Sequence, residues 1–231
     1  MGSDNLQNTI HNLMQSGSLS NPAYNRLLHD YIKYHAVLVA EGGIFALLLM
    51  VLSVYFWRRF KKMRKAETRN WTFEKKVYFC FGLASTIATL LMLLIVMVNL
   101  GTVLNPQEGF AQSIPDLGTP QAGTQKAALY QAVNSWIQSG SAPMPSVLEN
   151  KVRDRLSWQQ PKSIVCSISL VVSAIFTARL WRKLINSRAS KSMGRLKEKT
   201  LITIGVIAIP VTLLLMIMAV ANTQASFAPI T

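Results

Sequence analysis

One acidic side chain, Glu41, stands inside a long apolar run. An ionisable group at such a depth in a membrane is costly and usually paired, so it is a candidate functional residue by default. The neighbouring Gly42 and Gly43 would let another helix approach closely, with the carboxyl able to take a proton or a cation. The structural alternative is that Glu41, near the end of its run, reaches the headgroup region. Glu41 is therefore the candidate intramembrane functional residue.

Two asparagines are further candidates for polar contacts within apolar runs. Asn99 and Asn222 lie near the ends of two such runs. A hydrogen bond between helices at such positions contributes about 1 kcal/mol. The alternative for both residues is a polar cap at a helix end, and both interpretations are structural.

Positive charge is concentrated in two short segments. Residues 58–76 hold nine Lys/Arg and two Glu, and residues 179–199 hold eight Lys/Arg and one Glu. Each segment is net +7, so together they account for the whole formal charge of +14. Charge confined to short loops beside apolar runs is the positive-inside pattern of membrane proteins, not a nucleic-acid-binding face. We therefore expect no nucleic acid partner.

The basic side chains have two predicted roles besides fixing orientation. They could hold anionic lipid headgroups, at about 1 kcal/mol per residue near the surface, or they could dock an acidic cytoplasmic partner. Trp57 and Trp181, each followed by an arginine, fit the aromatic belt at a membrane interface. The candidate lipid- or partner-binding residues are Arg58, Arg59, Lys61, Lys62, Arg64, Arg182, Lys183 and Arg188.

No catalytic, cofactor or metal motif is recognisable in the sequence. It contains no Gly-rich phosphate loop, Gly-x-Ser-x-Gly elbow, His-Glu-x-x-His motif or Cys/His cluster. His11, His29 and His35 could face one another, but no acidic or nucleophilic residue stands at a convincing spacing beside them. The sequence therefore predicts a non-enzymatic protein with no cofactor.

The elements that carry these residues are predicted to be four transmembrane helices. Half of the residues are hydrophobic and the mean hydropathy is +0.27, values typical of a small polytopic membrane protein. About 20 apolar residues cross a bilayer. The spans are expected at residues 36–57, 77–101, 163–178 and 200–222. The third is the weakest, because Arg179 must snorkel, and the fourth carries Pro210 as a potential kink.

Segments outside the spans are expected to be short amphipathic helices or linker. Apolar residues at helical spacing predict surface helices within residues 1–35 and again within 129–160. For Tyr24 to Ile32, the alternative is a lead-in to the first span. Residues 107–128, rich in Gly, Pro, Gln and Thr, predict an irregular linker. The two-span units are then residues 36–106 and 161–231.

The chain also contains an internal repeat in its sequence. The four-residue segment Gln-Ser-Gly-Ser occurs at residues 15–18 and 138–141, and Trp57-Arg58 matches Trp181-Arg182. Further polar matches follow in the same order at offsets of 123 or 124, among them Pro22 with Pro145, Arg64 with Arg188, Thr89 with Thr212, and Asn99 with Asn222. These matches predict two tandem two-span units in the same orientation, related by an axis along the membrane normal.

Location and function are predicted from this architecture. We expect a multi-pass protein of the plasma membrane, which is the bacterial inner membrane if the source is prokaryotic, with cationic loops in the cytoplasm and both termini outside. The favoured function is a non-catalytic subunit or assembly factor of a larger secretion, conjugation, respiratory or transport complex, with membrane proteins or a second copy as partners. The alternatives are a small ion or proton channel using Glu41, and a membrane immunity or exclusion protein.

Overall fold

The described part of the chain is built from helices. The computed structural model describes Thr9, Asn12 and residues 20–63, 72–113, 120–189 and 194–227, without the side chains of 111–113, 188–189 and 195. Within these ranges there is no strand. The helices are α1 Pro22–Lys62, α2 Phe73–Leu104, α3 Pro106–Ser113, α4 Gln125–Ser139, α5 Ser146–Ala189 and α6 Arg195–Phe227. The predicted all-α class is confirmed.

Four of these helices, α1, α2, α5 and α6, are long and apolar enough to cross a membrane. Each contains one of the spans predicted from hydropathy, and α5, which carries the third span, is the least apolar of the four. Large apolar side chains on all four are exposed, including Leu47, Leu94, Val172 and Ile207. Such continuous apolar exposure suits a lipid environment. The architecture is that of a multi-pass membrane protein.

The helices extend beyond the predicted spans. Residues 24–32, predicted as a surface helix or a lead-in, form the first turns of α1. Residues 147–156 likewise belong to α5, which continues through Pro161. Pro161 has no backbone N–H, so the carbonyl of Ser157, four residues earlier, lacks its usual helical donor at this point. These two segments are therefore not separate helices.

The connection between the second and third long helices is more ordered than expected. Residues 107–128 were predicted to be irregular, but α3 occupies Pro106–Ser113 and α4 begins at Gln125. Pro106 starts α3 because its fixed φ suits the first helical position. Thr124 caps α4 by accepting a hydrogen bond from the backbone N–H of Ala127 at 3.2 Å. Most of the predicted surface segment at residues 1–19 lies outside the described residues.

The chain divides into two compact units that do not coincide with the two predicted two-span units. Unit 1 contains Met1–Val39, Val98–Pro161 and Thr223–Thr231, and unit 2 contains Ala40–Met97 and Lys162–Asn222. Unit 1 has its own apolar core. Its buried members come from α1, α4 and α5, and they are Ala23, Tyr24, Leu27, Leu28, Trp136, Ile137 and Leu148.

Hydrogen bonds fix the helix ends that meet in unit 1. The side chain of Asn21 accepts from the backbone N–H of Tyr24 at 3.0 Å, capping α1, and donates to the carbonyl of Ile137 at 2.8 Å. Gly140 ends α4 in the left-handed conformation, with φ of 62°. The chain then turns back so that the Trp136 indole donates to the carbonyl of Ser141 at 2.8 Å. The Gln-Ser-Gly-Ser segment at 138–141 is thus a helix stop.

Unit 2 gathers the four apolar helices around one core. Ala46, Met92 and Met216 are buried at its centre, and the side chains packed against them are Phe45, Leu49, Leu93, Leu170 and Leu213. Every one of the four helices contributes to this set. We call the α1 and α2 parts of unit 2 the first pair, and the α5 and α6 parts the second pair.

The helices of each pair are antiparallel, and the two pairs point the same way. In the first pair, Ser53 contacts Thr86 while Trp57 contacts Gly82, so numbers rise on α1 as they fall on α2. In the second pair, Ser173 contacts Thr212 while Trp181 contacts Gly205. The rings of Phe81 and Trp181 meet with centroids 5.1 Å apart. Because both pairs also share the core, both cationic connections leave unit 2 at the same end, here called the connection end.

Candidate functional site

The candidate residue Glu41 is half-buried on α1, near the start of the part of α1 that belongs to unit 2. Its Oε2 atom is inaccessible to solvent. Gly42 is buried, but a Cβ at Gly43 would meet nothing within 4 Å, so Gly43 does not bring another helix close. Over the described ranges, no group of three or more His, Cys, Asp or Glu side chains gathers as a metal site. The structure therefore assembles no such ligand set around Glu41 there.

Asn99 forms a hydrogen bond to a histidine on the neighbouring helix. Its Oδ1 lies 2.6 Å from Nδ1 of His35, and because an amide oxygen can only accept, the histidine is the donor. The His35 ring also meets the rings of Tyr31 and Tyr34 edge-on, at 4.6 and 5.3 Å. This bond joins α1 to α2 within unit 1. The sequence contains one signal for this hydrogen bond. His35 directly precedes the first predicted span, and Asn99 lies near the end of the second.

Asn222, the sequence match of Asn99, has different partners. Its Nδ2 donates to the carbonyl of Met218 on its own helix at 2.6 Å. Its contact with the other helix of the second pair is to Sγ of Cys166 at 3.8 Å, and a thiol is a weak acceptor. Two residues with the same sequence context therefore make unequal contacts between helices.

The two belt tryptophans lie on glycines of the neighbouring helix. A Cβ placed on Gly82 would be 3.2 Å from Cε2 of Trp57, and one on Gly205 would be 3.0 Å from Cε2 of Trp181. Both rings are half-buried. The glycines allow the helices to approach until the indole fills the space that a side chain would take. The tryptophans thus pack helix on helix, in addition to lying near the helix ends where an aromatic belt is expected.

A threonine hydroxyl joins the two helices in each pair. Thr86 donates to the carbonyl of Gly82 at 2.7 Å, so Ser53 at 2.7 Å and the indole of Trp57 at 3.0 Å must donate to it. In the second pair, Thr212 donates to the carbonyl of Ala208 at 2.7 Å. It therefore accepts from Ser173 and Thr177, at 2.8 and 3.2 Å. The indole of Trp181 turns instead to the carbonyl of Gly205, at 3.3 Å.

Basic side chains surround the connection end of unit 2. Ten of them are exposed: Arg58, Arg59, Lys61, Lys62, Lys76, Arg179, Arg182, Lys183, Lys197 and Lys199. Lys75 is half-buried. Two further candidates cannot be placed here, because Arg64 and the side chain of Arg188 lie outside the described residues. The remaining candidates are thus brought to one end of the unit, on both pairs.

Aromatic rings distinguish the first pair at this end. Ring contacts with centroids 5.2 to 6.3 Å apart form two groups. One group is Tyr55, Phe56, Tyr78 and Phe81, and the other is Trp57, Phe60 and Phe79. Two cations lie over these rings: Arg59 is 5.6 Å from the centroid of Tyr55, and Lys75 is 5.5 Å from that of Phe60. Over the described residues of the second pair, Trp181 alone contacts one of these rings, Phe81, and no cation lies over a ring.

No protein-family model matches the chain, and no curated protein or solved structure shows significant similarity to it. The interpretation therefore depends on the geometry of this molecule alone. The connection end combines exposed cations with aromatic rings, an arrangement suited to anionic, partly apolar ligands. Sequence reasoning found the cations and the two tryptophans, but it missed the two groups of contacting rings and the role of the glycines.

Proposed function

We propose that the protein is a non-catalytic subunit or assembly factor of a larger membrane complex. The observation that carries this proposal is unit 1, which has a core of its own apart from the core of the four apolar helices. A chain that only had to cross the membrane would not need a second core. A folded part with its own core gives a subunit a surface with which to dock onto neighbouring proteins.

The core of unit 1 is tight enough to serve as such a platform. Trp136 and Ile137 are 2% and 0% exposed, and both ends of the α4 turn are fixed by hydrogen bonds from side chains. By contrast, Trp158 on the unit 1 part of α5 is 62% exposed. A large exposed aromatic on a rigid helix is a typical anchor at protein interfaces. Partners are therefore expected to bind through unit 1.

The channel alternative is less well supported by unit 2. The centre of its four helices is filled by Ala46, Met92 and Met216 with leucine and phenylalanine around them. An ion needs polar ligands or water along its path, and this core supplies neither. A pathway using Glu41 would have to lie between copies of the chain. The exclusion alternative has no geometric observation that distinguishes it from the subunit role.

The same proposal includes the orientation and the duplication. We infer that the connection end is cytoplasmic, because both cationic segments leave from it and cationic loops are retained inside. We also infer that the two pairs descend from one two-span unit. This is supported by Trp57 on Gly82 and Trp181 on Gly205, which are equivalent contacts at sequence offsets of 124 and 123.

Affinity purification in mild detergent, followed by mass spectrometry, tests the subunit proposal. The expected result is a stable set of larger membrane partners. Recovery of the protein alone or as a homo-oligomer would contradict the proposal. A set of partners present only after challenge with a toxin or an incoming apparatus would favour the exclusion role. Cation or proton flux from purified protein in liposomes, abolished in Glu41→Gln, would favour the channel.

A matched pair of variants connects the partners to unit 1. Ile137→Ala removes a fully buried side chain from the unit 1 core, at about 2–5 kcal/mol. We expect this variant to reach the membrane but to lose its partners. The control Leu94→Ala alters a side chain of unit 2 that is 62% exposed, and it should keep them. Loss of partners in the control alone would place docking on the spans.

A further inference from the structure

An exposed stripe on α1 leads from the apolar middle of the first pair to its cationic end. Leu48, Leu52, Tyr55 and Arg59 follow one another at helical spacing, and each is exposed. Their order along the helix is two aliphatic side chains, then an aromatic ring, then a guanidinium. This is the order of polarity met along a phospholipid, from acyl chain to interface to phosphate.

The cation at the end of this stripe is held by its surroundings. Arg59 lies over the Tyr55 ring, 5.6 Å from its centroid, which restrains the guanidinium beside the helix. Tyr78 and Glu74, both from α2, are within electrostatic reach of Arg59. Lys62 is exposed one helical turn beyond. A restrained guanidinium loses less entropy when it binds a phosphate than a freely moving one.

The matching stripe of the second pair differs at its cationic end. At the offset of 124, the exposed residues Val172, Phe176, Arg179 and Lys183 correspond to Leu48, Leu52, Tyr55 and Arg59. This stripe also passes from apolar side chains to cations, but Arg179 replaces the Tyr55 ring, and over the described residues of this pair no cation lies over a ring. The guanidinium that lies over a ring is therefore the feature of the first pair.

We propose that Arg59 and Tyr55 form the headgroup site for one anionic phospholipid, whose acyl chains lie along Leu48 and Leu52. The guanidinium binds the phosphate through paired N–H donors, and the Tyr55 ring covers the glycerol region. This site is independent of the proposed subunit role, because it needs only the protein and a bilayer.

The exposed aliphatic residues favour a lipid over a free anion as the ligand. A soluble phosphate would use Arg59 alone and gain nothing from Leu48 and Leu52, which are 55% and 45% exposed. An acidic protein segment would need a polar surface beside the cation, but this stripe continues into the apolar span. A phospholipid uses both parts at once.

Native mass spectrometry of the full chain in mild detergent tests the site, with phosphatidylglycerol and phosphatidylcholine as probes. We expect one tightly bound phosphatidylglycerol and much weaker retention of phosphatidylcholine. Arg59→Gln should weaken phosphatidylglycerol binding by about fivefold or more, because one cation near a headgroup contributes that much. Lys183→Gln removes the same charge at the matching position and should change the affinity less than twofold.

One more variant and one competitor complete the test. Tyr55→Leu removes the ring over which Arg59 lies and should weaken phosphatidylglycerol binding. Thermal unfolding in detergent shows whether each variant is folded. If Arg59→Gln is not folded, Arg59→Lys, which keeps the charge, is used in its place. Equal losses in Arg59→Gln and Lys183→Gln would overturn the site in favour of general surface attraction. Full displacement of the lipid by millimolar inorganic phosphate would also overturn it, in favour of a free-anion site.

Discussion

The two pairs of unit 2 share a plan but differ in how their helices are held together. Each has a tryptophan on a glycine and a threonine hydroxyl that accepts two hydrogen bonds. The first pair adds two groups of contacting aromatic rings at the connection end, one of four rings and one of three. The described residues of the two pairs carry five exposed cations each at this end, but the second pair has Arg179 in place of Tyr55.

The difference shows which features a two-span unit requires and which it can vary. The close approach over glycine occurs in both pairs, so we attribute helix pairing to it. The bridging threonines do not occupy matching positions in the two pairs. Thr212 bridges the second pair and matches Thr89 in sequence, whereas the first pair is bridged by Thr86, about one helical turn from Thr89. Over the described residues, Glu41 and cations lying over aromatic rings at the connection end belong to the first pair, which is where we expect specialised binding.

The largest expected effect is from filling the glycine positions. Gly82→Val and Gly205→Val would drive a side chain into Trp57 or Trp181, so we expect each to lower the free energy of unfolding by about 2–3 kcal/mol. Gly205→Ala should cost more than Gly82→Ala, because its Cβ would be 3.0 rather than 3.2 Å from the nearest atom. Reversible unfolding in mixed detergent micelles, followed by circular dichroism, measures this.

Gly43→Ala is the control for the glycine series. A Cβ at Gly43 meets nothing within 4 Å, so the variant should gain up to about 1 kcal/mol from helix propensity. A loss at Gly43 similar to that at Gly82 or Gly205 would mean that the glycines matter for backbone reasons and not for packing.

A smaller effect separates the two threonines that match in sequence. Thr212→Val leaves the hydroxyls of Ser173 and Thr177 without their acceptor, so we expect a loss of about 1 kcal/mol. Thr89 donates to the carbonyl of Ser85 on its own helix, and Thr89→Val should therefore be close to neutral. The same unfolding measurement applies. The reverse order of effects would show that the bridge follows the sequence match and not the described geometry.

The smallest expected effect distinguishes the two asparagines. A double-mutant cycle with His35→Leu and Asn99→Leu should give a coupling energy of about 1 kcal/mol, because the two side chains bond directly across helices. The cycle with Cys166→Ala and Asn222→Leu should give almost none, since a thiol accepts weakly. Equal coupling in the two cycles would contradict the asymmetry.

Hydropathy was sufficient to predict the four apolar helices. Each lies where a run of apolar residues lacks charge, and this property depends on local composition alone. The N-terminal ends of two of these helices were predicted less well. α1 extends from the predicted span back to Pro22, and α5 extends back through Pro161 to Ser146, because no residue in between ends either helix. Residues 107–113 were wrongly predicted to be irregular because of their Gly and Gln content, whereas Pro106 begins a short helix there.

Contacts between helices were beyond the sequence argument. Trp57 was assigned to the membrane interface from its position beside Arg58, and only the approach of α2 shows that its ring fills the space over Gly82. Asn99 was singled out, but its partner His35 is 64 residues away and carries no motif. Periodicity identifies the apolar face of a helix, yet the helix it meets depends on the packing of the whole unit.

Cysteine labelling in right-side-out membrane vesicles tests the central claim, that the two pairs share one orientation. In a Cys80→Ser, Cys166→Ser background, Lys62→Cys and Lys199→Cys report on the connection end of each pair, and Gln138→Cys reports on unit 1. All three positions are exposed. An impermeant maleimide should label Gln138→Cys in sealed vesicles, and label Lys62→Cys and Lys199→Cys only after permeabilisation. Labelling of one lysine position but not the other in sealed vesicles would place the cationic ends on opposite sides and contradict the account.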